Sequence, residues 1–258
     1  MPVNTVSRTA SQRHAILGMK LDYISSNDFM DVLIEDCKAG RTGYACSTDV
    51  NQCMLVNENK EFRDEVVNVA DYVITDSFYL NLTRRLLYRV PRLELITAGV
   101  MMPALCERAA AEGIPIALIG GRDDAVLNAL CDNLSSKQPE LQIAYRYSPP
   151  FRPLSAEEDE TVIRQIRASG ARLVFVGLGC PKQERWMAAH KDSVHAMMIG
   201  LGAAFDFNAG VVKSSPPWVH RFGLEWLHRL TREPKRLWKR YLVVAPRFVF
   251  LVMTGRGK

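Results

Sequence analysis

The sequence predicts an α/β fold, a Rossmann-like parallel sheet with helices on both faces, followed by a helical, basic C-terminal appendage. Short apolar runs alternate with helix-like stretches over most of the chain, which is typical of βαβ units. After Gly210 the composition changes and basic residues become frequent. With 258 residues, 48% of them hydrophobic, the chain can bury one large core. We therefore expect a Rossmann-like domain over residues 1–212 and an appendage over 213–258.

The alternating pattern defines the individual elements. The predicted strands are residues 44–47, 72–75, 94–97, 115–119, 142–146, 172–176 and 195–199. The predicted helices are residues 51–57, 78–88, 103–112, 123–134, 156–169 and 182–190, then 223–230 and one from Pro234 that stops before Pro246. The short, continuously apolar strands predict a sheet that helices cover on both faces.

Five polar clusters follow predicted strands. In an open parallel sheet, ligands bind beyond the carboxyl ends of the strands, so these clusters are expected to share one cleft. They are residues 47–49, 75–77, 120–123, 177–184 and 200–208.

The most informative cluster begins at Gly177. An apolar strand runs into a turn with Gly177 and Gly179 and then directly into a helix that starts with Lys182. Such a turn leaves backbone N–H groups free at a helix N-terminus, where phosphate can bind. A plain strand-to-helix connection is the simpler alternative.

Charge is distributed unevenly along the chain. Residues 213–258 contain eleven Lys or Arg and two acids, a formal charge of +9, whereas the whole chain carries +5. The basic amphipathic pattern favours attachment to an anionic membrane surface. Alternatively, these helices pack on the body and keep their charges in water. The residues assigned to membrane or acceptor contact are Arg221, Arg229, Arg232, Arg236, Lys239 and Arg240.

Other sequence features argue against several classes. No apolar run is long enough to span a bilayer, and residues 1–13 lack the apolar core of a signal peptide. The six cysteines are scattered without metal-ligand spacing, so we expect reduced thiols in a cytoplasmic protein without a structural metal. Cys180 as a nucleophile has little support, because no histidine lies near it in sequence.

Three linked motifs resemble those of the WecG/TagA/CpsF family of bacterial glycosyltransferases. They are Gly-Leu-Gly-Cys-Pro-Lys-Gln-Glu-x-Trp at 177–186, Gly-Ala-Ala-Phe-Asp-Phe-x-Ala-Gly at 202–210 and Gly-Leu-Glu-Trp-Leu-x-Arg-Leu-x-x-Glu-Pro-x-Arg at 223–236. The resemblance implies inverting transfer of a sugar from a UDP-sugar to an undecaprenyl-diphosphate-linked acceptor. We expect no metal cofactor, because no Asp-x-Asp motif lies at the end of a predicted strand. The resemblance also implies a catalytic body and a C-terminal appendage that associates with the cytoplasmic face of the membrane.

The resemblance further implies a catalytic base, Asp76. An inverting transfer needs a base that takes the proton of the acceptor hydroxyl. From the residues alone, Asp76 could equally be the N-cap of the helix that follows. The residues expected to contact substrate are Ser47, Thr48, Asp49, Gly120, Gly177, Gly179, Lys182, Gln183, Glu184 and Asp206.

Some positions depart from the family pattern. Ser77 stands where a glycine is usual, Ala98-Gly99-Val100 lacks an acid, and an arginine is missing near Ser214. These departures leave the donor sugar and the acceptor open. The oligomeric state is also open, and a homo-oligomer is possible.

Two other functions compete with a glycosyltransferase. Gly177-x-Gly179 on a parallel sheet is compatible with an NAD-dependent oxidoreductase, but the third glycine of that fingerprint is missing and the motif lies late in the chain. A non-enzymatic protein could use the basic tail to bind anionic lipid or nucleic acid. Nucleic acid is disfavoured because few aromatic residues accompany the basic ones outside apolar helix faces.

Overall fold

The computed structural model describes residues 12–212, 227, 230, 231 and 234–256. Its strands are β1 (Arg13–Ile16), β2 (Met19–Asp22), β3 (Gly43–Thr48), β4 (Tyr72–Thr75), β5 (Ile116–Gly120), β6 (Ile143–Tyr147), β7 (Leu173–Gly177) and β8 (Met197–Gly200). The helices of the body are α1 (Ser26–Lys38), α2 (Val50–Glu58), a π-helix (Phe62–Val67), α3 (Phe78–Tyr88), α4 (Ala98–Ala111), α5 (Asp124–Lys137), α6 (Ala156–Ser169), α7 (Lys182–His190) and α8 (Ala204–Asn208).

A six-stranded sheet forms the centre of the fold. Its strand order is β4-β3-β8-β7-β5-β6, and every neighbouring pair is parallel. Strands β4, β5 and β8 are buried along their whole length, as expected for a sheet covered on both faces. The predicted α/β class is therefore confirmed. An antiparallel hairpin, β1–β2, had not been predicted from the sequence.

The predicted strand at 94–97 is wrong. This segment has no strand hydrogen bonds and instead lies against the start of α1. The Ser26 N–H donates to the carbonyl of Glu94, and the Ile96 N–H donates to the Ser26 hydroxyl. These bonds satisfy the backbone of an extended apolar segment without placing it in the sheet. Helix α4 then begins at Ala98, earlier than predicted.

The helices divide between the two faces of the sheet. Helices α1, α4, α5 and α8 pack in one apolar core, and α2, the π-helix, α6 and α7 pack in the other. The connections after β3 and β7 lead to α2 and α7 on one face, whereas the connection after β8 leads to α8 on the opposite face. Because β8 lies between β3 and β7, a crevice opens above its carboxyl end.

The C-terminal helical segment comprises residues 234–256. It consists of α9 (Pro234–Lys239), a π-helical turn (Arg240–Val244), α10 (Ala245–Leu251) and a final π-helical turn (Val252–Arg256). The predicted stop before Pro246 is wrong, because Pro246 lies in the first turn of α10, where its missing N–H is not needed. Phe248 is buried against the body. Within the described residues, no helix has both the length and the apolar character needed to cross a membrane.

Candidate active site

A polar cleft of about 340 Å³ lies above the carboxyl ends of β3, β4, β7 and β8. It occupies the crevice that the topology predicts. Five of the residues predicted to be catalytic or to contact substrate line it, namely Ser47, Asp49, Asp76, Gly179 and Gln183. The remaining walls come from the β8–α8 turn, the start of α4, and Arg240 of the C-terminal helical segment.

Asp76 follows β4 directly and lies on the wall of the cleft. It is not the N-cap of α3, because Ser77 holds that position and its side chain accepts from the Leu80 N–H. The alternative reading of Asp76 as a helix cap is therefore wrong. One carboxylate oxygen, Oδ2, accepts from the Ala98 N–H at 3.1 Å. This bond holds the carboxylate at the junction between β4 and the start of α4.

Asp49 lies beside Asp76 at the end of the neighbouring strand, β3. Its Oδ1 caps α2 by accepting from the Gln52 N–H at 2.9 Å, and its Oδ2 forms an ion pair with Arg240. The Gln52 side chain also lines the cleft, is 3% exposed, and its Nε2 has no hydrogen-bond partner among the described residues. A buried amide donor without a partner is costly, so Nε2 is available to bind a ligand.

Arg240 brings positive charge to these two carboxylates. Burial opposes the charge on the guanidinium, but Asp49, Tyr241 and Asp76 outweigh it and raise the pKa of Arg240. Arg240 comes 191 residues after Asp49 in the sequence, and the packing of the C-terminal helical segment on α2 brings the two side chains together. The sequence predicted Arg240 as a membrane or acceptor residue, and the structure places it within the cleft.

Gln183 lines the cleft beneath the glycine turn, and Glu184 is buried behind it, outside the cleft lining. Gln183 Oε1 accepts from the Gly179 N–H at 3.2 Å, and Gln183 Nε2 donates to Glu184 Oε1 at 2.8 Å. These two bonds fix the orientation of the amide, whereas contact of Glu184 with substrate stays a prediction. Glu184 is fully buried, and burial raises the pKa of its carboxyl to about 7.

Gly200, at the end of β8, gives Gln183 the space for this position. A Cβ at residue 200 would lie 2.8 Å from Gln183 Nε2 and 2.9 Å from the Met187 methyl group. Both distances are shorter than real Cβ contacts allow, and Met187 is buried and cannot move away easily. A Cβ at residue 200 would therefore displace the end of the Gln183 amide or the Met187 methyl group.

Other predicted site residues lie away from the cleft lining. Thr48 is buried and donates to the Ile74 carbonyl, which links β3 to β4. A Cβ at Gly120 would clash with the backbone of Gly177, and a Cβ at Gly177 would clash with the Phe205 ring. Close packing therefore explains both glycines. Contact of these three residues with substrate stays a prediction.

Several charged residues predicted for the site also lie outside the cleft lining. Lys182 is exposed at the start of α7, and Asp206 on α8 pairs with Arg122 at 3.1 Å. Lys239 is exposed, with its ammonium 5.7 Å from the centre of the Trp238 ring. The cluster at 120–123 does not join the cleft lining, so the expected convergence of all five clusters does not occur. Arg221, Arg229, Arg232 and the side chain of Arg236 lie outside the described part of the chain.

An apolar groove of about 450 Å³ adjoins the cleft and had not been predicted from the sequence. The two cavities share Asp49, Asn51, Asp76, Thr97 and Arg240, so the groove begins where the carboxylates lie. Its walls come from the start of α3, the segment before α4, and the C-terminal helical segment. The apolar wall residues are Val50, Phe78, Tyr79, Leu95, Tyr241, Ala245, Pro246, Phe248 and Val249.

The chain matches the model of the glycosyl transferase WecG/TagA/CpsF family over residues 14–258. This match covers nearly the whole sequence and includes both the residues of the polar cleft and the C-terminal helical segment. The chain therefore belongs to this glycosyltransferase family, as its three motifs had indicated.

Proposed function

We propose that this family member is an inverting glycosyltransferase that moves a hexosyl or N-acetylhexosaminyl group from a UDP-sugar to an undecaprenyl-diphosphate-linked saccharide. It would act as a peripheral protein on the inner face of the bacterial cell membrane, in surface or exopolysaccharide biosynthesis. The observation that carries the proposal is the position of Asp76 on the shared wall of a polar cleft and an apolar groove. A polar donor and a lipid-linked acceptor need two such cavities that meet at one reactive group.

The polar cleft suits the nucleotide sugar. It offers the Gln52 amide donor, the fixed Gln183 amide and the glycine turn before α7. Amide groups with fixed orientation can bind both the donors and the acceptors of uracil and sugar hydroxyls. Arg240 supplies a cation for the diphosphate, and its guanidinium can bind phosphate oxygens through two parallel hydrogen bonds.

Asp76 would act as the general base in a single displacement. The acceptor hydroxyl oxygen forms a bond to the anomeric carbon of the donor while the bond from that carbon to the UDP oxygen breaks. The hydroxyl proton passes to the Asp76 carboxylate, and UDP leaves from the opposite face of the sugar. The bond from the Ala98 N–H to Oδ2 holds this carboxylate on the wall that the two cavities share. Arg240 then offsets the negative charge that develops on the leaving diphosphate.

The apolar groove suits the lipid side of the acceptor. Its aromatic and aliphatic walls can cover the first part of a polyprenyl chain, and Arg92 on the same wall can bind the diphosphate of the acceptor. The basic C-terminal region, whose net charge is +9 after residue 212, favours attachment to anionic headgroups. The reaction is proposed to need no metal, because no Asp-x-Asp motif follows a predicted strand.

A UDP-release assay tests this function. The full chain would be incubated with a panel of UDP-sugars and a short-chain analogue of a sugar-diphospho-undecaprenol, with EDTA present and absent. We expect release that depends on the acceptor, occurs with one donor and is insensitive to EDTA. The absence of both release and measurable UDP binding would contradict the proposal, and saturable NAD binding would favour an oxidoreductase instead.

A further inference from the structure

We propose that the exposed face of helix α3 is a second membrane-contact surface that docks on anionic phospholipid beside the mouth of the apolar groove. We call it the α3 face and define it by Tyr79, Leu82, Arg85, Leu86 and Arg89. The surface is distinct from the basic C-terminal region, to which membrane attachment was assigned above. The inference rests on the proposed function, because docking through the α3 face would turn the groove toward the bilayer that would contain the acceptor.

The α3 face exposes apolar side chains in a regular pattern. Tyr79 is 42% exposed, Leu82 37% and Leu86 70%. Their spacing of three and four residues places them on one side of the helix. Large aliphatic side chains in this arrangement gain free energy when a lipid interface covers them.

Positive charge accompanies these apolar residues. Arg85 and Arg89 are both exposed on or at the end of α3, and Arg92 is exposed at the wall of the groove. Between Asp76 and Glu107 the sequence has four arginines and a single acid, Glu94. This combination of exposed apolar and basic side chains is complementary to an anionic bilayer rather than to a basic or neutral partner.

The opposite side of α3 holds the helix firmly in the fold. Arg84 is 1% exposed and donates to the carbonyl of Asp22 and to Asn81 Oδ1, at 3.1 and 2.7 Å. Leu80 is also fully buried. The exposed side therefore belongs to a fixed helix, which can orient the whole body when it docks.

The groove connects the α3 face to the C-terminal helical segment. Tyr79 from α3 and Val249 from the C-terminal helical segment both line the groove, and both are about half exposed, so both lie at its rim. Besides Val249, the C-terminal helical segment exposes four other large apolar residues, Trp238, Leu242, Phe250 and Met253. Two elements with exposed apolar residues thus border one opening, and a bilayer in contact with both would lie over that opening.

Vesicle sedimentation of the full chain tests the inference. One set of vesicles contains phosphatidylcholine with roughly 30% phosphatidylglycerol, an anionic content that gives a strong surface potential. The other set contains phosphatidylcholine alone. The variants are Leu82→Ser/Leu86→Ser and Arg85→Glu/Arg89→Glu. Phe151→Ser is the control, because Phe151 is 88% exposed in a loop far along the chain from α3.

We expect each double variant to lower partitioning onto the anionic vesicles by about tenfold or more, with the control unchanged. UDP release with a water-soluble acceptor should stay at the wild-type level, which shows that the variants are folded. Wild-type partitioning in either double variant would overturn the inference. Loss of a dimer in these variants, with vesicle binding retained, would also overturn it and assign the face to a second copy of the chain.

The two proposals fail in different ways. If the chain sediments with anionic vesicles through the α3 face but releases no UDP with any donor, the enzymatic proposal fails and the docking surface stands. If UDP release is normal and neither double variant affects vesicle binding, the docking surface fails and the enzymatic proposal stands.

Discussion

The polar cleft and the apolar groove share one wall but are built differently. The cleft is made by strand ends and turns of the parallel sheet, where backbone groups and short polar side chains converge. The groove is made by packing of a distant C-terminal helical segment against α2, α3 and the segment before α4. In the proposed reaction, the sheet would supply most of the nucleotide site, and the C-terminal helical segment would add Arg240 to it and shape the path of the acceptor to Asp76.

Replacement of Asp76, which belongs to both cavities, should have the largest effect. Asp76→Asn keeps an oxygen that can accept from the Ala98 N–H but removes the base, so turnover should fall by on the order of 10² to 10⁴. UDP affinity, measured by titration calorimetry, should stay close to that of the wild type. Asp132→Asn, an exposed position on α5, is the matched control. Ordinary turnover in Asp76→Asn would remove this residue from the base role.

Replacement of Arg240 should affect the cleft next most strongly. Arg240→Ala removes the cation beside Asp49 and Asp76, and turnover should fall by about 100-fold. Arg240→Lys should recover part of the loss, since a point charge remains but the planar fork does not. Lys235→Ala, which removes an exposed charge from the same segment, should have little effect on UDP release. Equal effects of the two alanine variants would show that only the overall charge of the segment matters.

A methyl group at Gly200 should weaken the binding of UDP and leave acceptor binding unchanged. Gly200→Ala displaces the Gln183 amide, and UDP affinity should fall by about tenfold, the equivalent of one lost hydrogen bond. Gly99→Ala is the control, because a Cβ there has ordinary contacts with Phe207 at 3.5 Å on another wall of the cleft. Unchanged UDP affinity in Gly200→Ala would place the nucleotide elsewhere.

Glu184 should make stability depend on pH. The pKa of its carboxyl is raised to about 7 in the folded protein from 4.5, so the folded state binds the proton more tightly than the unfolded state. Stability should therefore fall as pH rises from about 4.5 to about 7, by up to about 3 kcal/mol. Glu184→Gln keeps an acceptor for Gln183 but has no such transition, so urea unfolding across this range should show a flatter profile. Parallel profiles in the two proteins would contradict this assignment.

A change at the rim of the groove should have the smallest effect. Val249→Ser removes apolar contact with a lipid chain, so the KM for a long-chain acceptor should rise by about threefold to fivefold. The KM for a short-chain acceptor should not change. Val69→Ser has a similar exposure, 52% against 50% for Val249, and lies outside the groove lining. A rise with both acceptors would argue against a lipid-binding groove.

The sequence was informative where function depends on residues that are close together in the chain. Most strands of the parallel sheet and the position of Asp76 after β4 followed from local pattern and from the family motifs, whereas β1, β2, α1 and α8 were not predicted. Local pattern could not distinguish a glycine that serves packing from one that binds a ligand. Gly120 and Gly177 contact each other through neighbouring strands, and this contact is not visible in either motif.

Tertiary contacts account for what the sequence did not show. Arg240 reaches Asp49 only after the C-terminal helical segment packs on α2, and the groove forms between Phe78 and Phe248, which are far apart in the chain. The apolar segment at 94–97 has a strand-like composition, but its backbone bonds to Ser26 at the start of α1. In each case a long-range partner decides the outcome.

In the proposed reaction, the acceptor attacks from the groove and UDP leaves on the side of the cleft, with Asp76 between them. The anomeric configuration of the product, determined by NMR from the coupling at the anomeric position, distinguishes this single displacement from a double one. We expect inversion, so that an α-linked UDP-sugar gives a β-linked product. A product with retained configuration would contradict a single displacement assisted by Asp76.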